Sequence, residues 1–161
     1  DYVEVPDSEN IDITYELTIE LWFQPAVTYD ATLTDYISLL DRQKNAGTDS
    51  YFVGINGNGR LHMGTYGGSI QSTQGSWEAG TWYHVVGTYR DVGGVYSGEI
   101  YINGVAETLS VNSYDNMAGG SQVIGIGGSD RFLKFNGLID EVVIYDRTLT
   151  PAEVLDRYNS F

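Results

Sequence analysis

Short runs in which apolar and polar residues alternate recur along the whole chain, and they are rich in tyrosine, valine, isoleucine and threonine. Glycine, asparagine or aspartate lies at the ends of these runs. Alternation with a period of two residues is typical of half-buried β-strands, because successive side chains point to opposite faces of the sheet. The predicted strands are Tyr2 to Val5, Leu17 to Gln24, Tyr36 to Asp41, Ser50 to Asn56, Arg60 to Tyr66, Trp82 to Tyr89, Gly98 to Asn103, Val105 to Leu109, Gln122 to Gly125 and Leu138 to Tyr145.

Tight turns separate some of these strands. The dipeptide Asn103-Gly104 lies directly between two apolar runs, and the stretch from Asn56 to Gly59 has the sequence NGNG. Asparagine and glycine adopt positive φ angles at low cost, and two-residue hairpin turns require such angles. Both stretches are therefore predicted to be hairpins between antiparallel strands.

One helical segment is predicted, in the sequence TLTPAEVLDRY near the end of the chain. Thr150 is the candidate N-cap, Pro151 follows at the first helical position, and Glu153 is placed to complete a capping box. Leu149 and Val154 give this segment an apolar side that can dock on a sheet.

Many short strands with almost no helix favour two packed antiparallel sheets over alternating strand and helix units. Residues 1–161 are predicted to form a single domain, because 161 residues can bury a core without disulfides or a partner. In such a sandwich Leu21 and Phe23 face the core. Glu20 and Trp22 then face outward or toward a covering loop.

The charge of the chain is strongly negative, with 8 Lys and Arg against 22 Asp and Glu and a formal net charge of −14. Such a surface repels phosphate backbones, so nucleic acid is not an expected partner. No apolar run approaches the roughly 18 residues of a membrane-spanning helix, and membrane insertion is not expected. Cysteine is absent, which excludes disulfides, thiol catalysis and cysteine-ligated zinc.

Four blocks of the sequence resemble the laminin-G-like branch of the concanavalin A-like lectin/glucanase superfamily. They are DYVEVPDSENIDITYELTIELWFQP (1–25), GTWYHVVGTYRD (80–91), EIYINGV (99–105) and FNGLIDEVVIYDRTLTPAEV (135–154), and their order and spacing match the family. The resemblance implies an all-β jelly-roll sandwich of two antiparallel sheets with one short C-terminal helical turn. It also implies a glycan- or protein-binding module of a secreted or cell-surface protein, as one part of a larger multidomain chain.

Asp140, in the last of these blocks, is the candidate calcium ligand. Calcium prefers several oxygen ligands from carboxylate and main-chain carbonyl groups. The resemblance implies that the acid on the last strand supplies such oxygens together with carbonyls from Asp1 to Glu4 and from a glycine-containing loop, where Gly47 is the candidate. The alternative is that Asp140 only accepts backbone N–H bonds at a strand end. Its neighbour Glu141 is expected to be solvated.

Aromatic residues in or beside loops are the candidates for sugar binding, because sugars stack their C–H faces on aromatic rings and hydrogen-bond through their hydroxyls. Trp77 lies in a polar stretch between predicted strands, and Tyr114 lies in a loop among asparagine and aspartate residues. Tyr66 ends the predicted strand that contains His62 and shares a face with it. Alternatively, the loop aromatics fold back to cover an end of the sandwich.

Catalysis is not predicted. A retaining glycosidase needs two carboxylates about 5 Å apart, and glucanase relatives take both from a Glu-x-Asp-x-x-Glu-like strand. The nearest stretch, NIDITYE, begins with Asn10, and an amide cannot act as the nucleophile. The leading hypothesis is therefore a non-catalytic, extracellular carbohydrate-binding module with structural calcium. A protein-binding adhesion or spacer domain is the alternative, and a divergent glycoside hydrolase is the third possibility.

Overall fold

The computed structural model describes residues 1–42, 51–65, 68–113, 115–117, 121–129 and 132–161. The strands are β1 (Val3–Val5), β2 (Glu16–Pro25), β3 (Ile37–Arg42), β4 (Tyr51–Ile55), β5 (Leu61–Thr65), β6 (Gly68–Ser72), β7 (Tyr83–Val92), β8 (Val95–Ser97), β9 (Ile100–Ile102), β10 (Val105–Ala106), β11 (Leu109–Ser113), β12 (Ile124–Ile126), β13 (Leu133–Lys134) and β14 (Gly137–Tyr145). A short 3-10 helix spans Glu9–Ile11, and helix α1 spans Pro151–Asn159.

The strands form two sheets. In the described part of the chain, eight strands form the large sheet in the order β1-β12-β3-β4-β5-β6-β11, with β13 beside β3. Six strands form the small sheet in the order β10-β9-β7-β2-β14, with β8 beside β7. The pairing of β13 with β3 is parallel, and the other pairings are antiparallel. The prediction of two antiparallel sheets is confirmed.

Strand β2 shows how the core and the helix share the small sheet. Leu21 and Phe23 are fully buried and face the large sheet as part of the core. On the opposite face Glu20 and Trp22 are also buried, although that face points away from the core. The element that covers this face is helix α1 and not the predicted loop, and the ring of Tyr158 stacks on Trp22 with a centroid separation of 5.8 Å.

Helix α1 begins as its local sequence predicts. The hydroxyl of Thr150 accepts from the backbone N–H of Glu153 at 3.3 Å, and the Thr150 N–H donates to the Glu153 carboxylate at 2.8 Å. These two bonds form the predicted capping box, with proline at the first helical position. Val154 is fully buried and packs with Val86 and Tyr101 of the small sheet. No helix in the described residues is long and apolar enough to span a membrane.

Both predicted hairpins form. Asn103 and Gly104 have φ angles of 51° and 76° and join β9 to β10. In the turn between β4 and β5, Gly59 has a φ of 72°, and the side-chain oxygen of Asn56 accepts from the backbone N–H of Arg60 at 3.1 Å.

Four strands were not predicted from the sequence, namely β6, β8, β11 and β13. Ile70 is the one large apolar residue of β6, so this strand lacks the alternation that identifies its neighbours. The predicted strand from Val105 to Leu109 is wrong, because β10 ends at Ala106 in the small sheet and β11 starts at Leu109 in the large sheet. The chain changes sheets within that short run.

Arg42 fixes the N-terminal segment onto the large sheet. Its side chain is fully buried, and Nη2 donates to Asp7 and Asp12 at 2.7 and 2.5 Å. Nη1 donates to the carbonyl oxygen of Ile11 at 2.5 Å, and the guanidinium lies 5.7 Å from the Tyr51 ring centroid. Asp12 of the NIDITYE stretch therefore has a structural role in holding this loop.

Candidate functional site

Helix α1 closes the outer face of the small sheet around Glu20. The Glu20 carboxylate accepts from His84 Nε2 at 3.1 Å, from the Tyr145 hydroxyl at 2.7 Å and from Arg157 Nε at 3.1 and 3.2 Å. Burial alone would raise the pKa of Glu20, but these donors outweigh it and hold the pKa below its ordinary value of 4.5. On this face of the small sheet, Glu20 binds helix α1 through Arg157.

A group of aromatic side chains lies outside the core, on the outer face of the large sheet. On β4 and β5, core residues alternate with Phe52 and His62, which therefore point away from the core. Tyr36, just before β3, and Phe132, just before β13, bring two more rings to this face. We call Tyr36, Phe52, His62 and Phe132 the aromatic cluster. Its ring centroids lie 4.8 to 5.9 Å apart in the contacting pairs.

Two glycines lie directly beneath rings of the aromatic cluster. A Cβ atom added at Gly54 would overlap the hydroxyl of Tyr36, and one added at Gly64 would overlap the tip of the Phe52 ring. Glycine at these strand positions lets the rings lie directly on the sheet. A larger residue at Gly54 would displace the Tyr36 ring, and one at Gly64 would displace the Phe52 ring.

Unpaired polar atoms mark the aromatic cluster. In the described residues, five buried side-chain nitrogen or oxygen atoms have no hydrogen-bond partner, and three of them are the Tyr36 hydroxyl and the two ring nitrogens of His62. Burial lowers the pKa of His62 to about 4, so the imidazole is neutral near pH 7. Burial, and then the charge of Asp41, raise the pKa of the Tyr36 hydroxyl. Native structures leave few buried polar atoms unpaired, so this concentration makes the aromatic cluster the candidate site.

Polar side chains border the rings in two cross-strand rows of the large sheet. Asp41, Phe52 and Gly64 are successive partners in one row, which continues to Ser69 on β6. In the other row, His62 on β5 is paired directly with Gln71 on β6. Ser69 and Gln71 are half-buried, and the Asp41 carboxylate is buried and accepts from the Ser38 hydroxyl at 2.6 Å. The face thus combines aromatic rings with carboxylate, amide and hydroxyl groups.

Of the side chains predicted to bind a sugar, His62 belongs to the aromatic cluster. Tyr66 and Tyr114 lie outside the described residues, and so does Gly47, the predicted calcium-binding loop residue. Phe52, Tyr36 and Phe132 were missed by the sequence analysis. The alternation in YFVGI does place Phe52 on the face opposite Tyr51 and Val53, so a signal for this residue was present.

The prediction that Trp77 offers a sugar platform is wrong, because the side chain is fully buried in the core. Its ring packs on Phe23 and Tyr83 at 5.2 and 5.0 Å, and its Nε1 donates to the carbonyl oxygen of Gly59 at 2.7 Å. A backbone bridge to Tyr29 holds the loop in place. The alternative, that this loop aromatic folds back into the sandwich, is the one that the structure supports.

Asp140 lies where β14 bulges. The strand pairs Asp140 with Trp22, so the acid lies on the outer face of the small sheet, and the register shifts before Val143. Glu141 has a positive φ of 49°, and its backbone N–H donates to the Asp140 carboxylate at 2.9 Å. This is the backbone N–H bond that the alternative to calcium predicted.

The calcium site predicted at Asp140 combines one carboxylate with main-chain carbonyl oxygens. In the described part of the chain no three His, Cys, Asp or Glu side chains are grouped so that they could hold a metal ion. Asp1 lines a small cleft with Gly137 and Ile139. Ile139 packs on the core, so this cleft opens on the inner side of β14, whereas Asp140 is on the outer side. Calcium therefore stays a prediction.

The laminin-G model of the concanavalin A-like lectin/glucanases superfamily matches residues 1–155. The chain belongs to this superfamily. The family predicted from the four sequence blocks is confirmed, and the jelly-roll sandwich follows with it. No curated protein matches the chain.

Several solved structures share the fold of this superfamily member. Domain 4 of AbnA, a GH43 extracellular arabinanase from Geobacillus stearothermophilus in complex with arabinotriose, is 24% identical with a TM-score of 0.67, over 96% of this chain and 71% of that one. The binding domain of Paraclostridial Mosquitocidal Protein 1 is 19% identical with a TM-score of 0.73, over 99% and 41%. Trypanosoma rangeli sialidase is 22% identical with a TM-score of 0.62, over 91% and 23%. At these identities the likeness shows the fold alone.

Proposed function

We propose that this protein is a non-catalytic carbohydrate-binding module that holds its ligand on the aromatic cluster. The observation that carries the proposal is the coincidence of four rings with three unpaired buried polar atoms on the outer face of the large sheet. The module works as part of a larger extracellular or cell-surface protein.

The chemistry of the aromatic cluster matches the chemistry of a sugar. Apolar C–H faces of a sugar ring stack on aromatic side chains, and its hydroxyls need planar polar partners. The neutral imidazole of His62 offers one donor and one acceptor, and Gln71 beside it offers an amide. A ligand can bond the imidazole nitrogens and the Tyr36 hydroxyl only if the rings shift on the sheet, because these atoms are buried. A buried unpaired polar group costs about 1–3 kcal/mol, and hydrogen bonds to a ligand remove that cost.

The two sheets differ in how well they could receive a ligand. Helix α1 occupies the outer face of the small sheet around Trp22 and Glu20, where the Glu20 carboxylate already has its partners and one buried atom, Nδ1 of His84, has none among the described residues. In the large sheet the corresponding polar groups, on Tyr36 and His62, have none among the described residues. This contrast favours the large sheet as the ligand-binding face.

The positions of two acids support binding without catalysis. Asp41 and Glu4 lie on the outer face of the large sheet, each paired with Gly125 of the strand between them. Two strand spacings separate their Cα atoms by about 10 Å, whereas the carboxyl groups of a retaining pair lie about 5 Å apart. The Asp41 carboxylate is also buried and bound by Ser38.

Protein binding, the rival function, would be favoured by one contiguous apolar patch. The large apolar side chains exposed in the described residues are instead distributed over both sheets and the helix. They include Val3, Val95, Val105, Leu133, Leu138 and Leu155. We therefore favour carbohydrate binding over protein binding as the function.

The test is a binding screen against soluble and insoluble polysaccharides, followed by titration calorimetry. Arabinan is a reasonable first probe, since the arabinanase domain of the same fold was solved with arabinotriose. Phe52→Ala is expected to weaken binding by about tenfold or more, because burying a phenylalanine side chain against a ligand is worth about 1.5–3 kcal/mol. Tyr15→Ala is the matched control, because Tyr15 is 71% exposed and lies outside the aromatic cluster. Equal loss in both variants, or no binding by the folded wild type, would overturn the proposal.

A further inference from the structure

The rings of the aromatic cluster are steeply inclined to one another. Tyr36 and Phe52 make an interplanar angle of 87°, Tyr36 and His62 make 78°, and Phe52 and His62 make 77°. Phe132 is inclined at 56° to Tyr36. A flat polysaccharide surface presents its C–H faces in one plane, so it can stack on only one of three mutually perpendicular rings. The cluster is not a flat platform.

The extent of the aromatic cluster is also small. The centroids of Tyr36, Phe52 and His62 lie 5.0 to 5.9 Å from one another. Rings at this distance touch one another edge to face, so a ligand contacts only the outer side of the cluster, and that side is about as wide as one sugar ring. The glycines beneath the rings keep the rings down on the sheet rather than extended along it. This arrangement has room for one sugar unit and does not form an extended groove that would bind several units of a chain.

The Asp41 carboxylate places a negative charge beside the aromatic cluster. The buried Asp41 carboxylate acts on Tyr36, where it helps to raise the pKa of the hydroxyl. Lys134, two residues after Phe132, has its ammonium group 4.9 Å from the Tyr2 ring centroid and is engaged there. The whole chain carries a net charge of −14. An anionic sugar is repelled by this field, whereas a neutral one is not.

We propose that the aromatic cluster binds one neutral sugar unit at a chain end or a branch of a soluble glycan, and that it does not adsorb to the flat face of a crystalline polysaccharide. This inference rests on the proposed function, and it specifies the ligand of the same site. Specificity comes from the inclined rings and from His62 and Gln71, which are paired across β5 and β6.

The experiment combines a chain-length series with three polymer probes. Arabino-oligosaccharides and cello-oligosaccharides of two to six units are titrated into the wild type, Phe52→Ala and Tyr15→Ala. Soluble branched arabinan, polygalacturonate and microcrystalline cellulose are tested by affinity electrophoresis or sedimentation. Affinity for the better series is expected to change by less than about threefold from two to six units, since added units make no new contacts. Branched arabinan is expected to bind, and microcrystalline cellulose to stay unbound.

The outcomes separate the inference from the function on which it rests. A rise in affinity of more than about tenfold with chain length would overturn the single-unit site, because it corresponds to about 1.4 kcal/mol of new contacts. Sedimentation with cellulose, or preference for polygalacturonate, that is lost in Phe52→Ala and kept in Tyr15→Ala would also overturn the inference and leave carbohydrate binding intact. If the folded wild type binds none of these probes, the proposed function fails and the inference fails with it.

Discussion

Arg157 on helix α1 donates its Nε–H to both carboxylate oxygens of Glu20 on strand β2, at 3.2 and 3.1 Å. Glu20 is 2% exposed and also accepts from His84 and Tyr145, so one carboxylate joins the helix to strands β2, β7 and β14. Half of the Arg157 side chain remains in contact with solvent. Removing Glu20 should therefore lower the free energy of unfolding more than removing Arg157.

We expect Glu20→Ala to lower the free energy of unfolding by about 3 kcal/mol, because it leaves buried donors on His84 and Tyr145 without an acceptor. Arg157→Ala should cost about 1 kcal/mol, since Tyr145 and His84 still satisfy the carboxylate. Urea denaturation measures both values. Arg90→Ala, which breaks the exposed pair with Glu16, is the control and should cost less than about 0.5 kcal/mol. Equal losses in all three variants would contradict the central role of Glu20.

Acidification should destabilise the fold in two separate pH windows. The unfolded chain protonates His62 near pH 6.5 but the folded chain only near pH 4, so between these values the unfolded state binds more protons and stability decreases as the pH is lowered. For Glu20, burial acts to raise the folded pKa, but the hydrogen bonds from His84, Tyr145 and Arg157 hold it below 4.5. Its contribution is therefore present above pH 4.5 and is lost as pH falls through the folded value. Unfolding midpoints at a series of pH values measure both effects.

Variants assign each pH window to its residue. His62→Phe should remove much of the loss of stability between pH 6.5 and 4, because phenylalanine takes up no proton. Glu20→Gln should flatten the profile below pH 4.5 while lowering stability at pH 7. If the wild type and His62→Phe lose the same stability between pH 6.5 and 4, the buried imidazole is not the group that titrates there.

The local parts of the fold were predictable from sequence, whereas the binding face was not. The capping box of Thr150 and Glu153 and the turn at Asn103-Gly104 depend on residues within a few positions, and both form as predicted. The burial of Trp77 depends on the carbonyl of Gly59, which comes from another turn. The aromatic cluster depends on strand order, because Phe132 reaches Tyr36 only through the parallel pairing of β13 with β3.

Tyr36→Phe should raise the stability of the free protein and weaken glycan binding. The Tyr36 hydroxyl is buried without a partner, so its removal relieves a penalty of about 1–3 kcal/mol. If the same hydroxyl bonds the ligand, binding weakens as folding strengthens. Thermal unfolding without ligand and calorimetry with it measure the two effects. Tyr29→Phe is the matched control, because the Tyr29 hydroxyl accepts from the Asn136 N–H at 2.9 Å and its loss should lower stability. A destabilised Tyr36→Phe variant would contradict the assignment.

Trp77→Phe should destabilise the protein by about 2 kcal/mol, because it leaves the buried Gly59 carbonyl unpaired and opens a cavity beside Tyr83. The affinity of the folded variant for glycan should be unchanged, since Trp77 is fully buried and belongs to the core. Denaturation and calorimetry at a temperature where the variant is folded test this pair of results. A weaker affinity at unchanged stability would restore Trp77 as a ligand-binding residue.

Asp140 has a role in the bulge of β14 that can be separated from calcium binding. Asp140→Ala removes the acceptor for the Glu141 N–H and should lower the free energy of unfolding by about 1 kcal/mol, even in the presence of a chelator. Calcium binding through Asp140 predicts an additional upward shift of several degrees in the wild type, since a ligand at 100 times its Kd adds about 2.7 kcal/mol. That shift should disappear in Asp140→Ala and persist in Asp146→Ala, which removes an exposed acid just beyond the end of β14. Equal midpoints with calcium and with chelator in the wild type would contradict calcium binding, and the hydrogen bond to Glu141 would then account for the acid in GLIDEV.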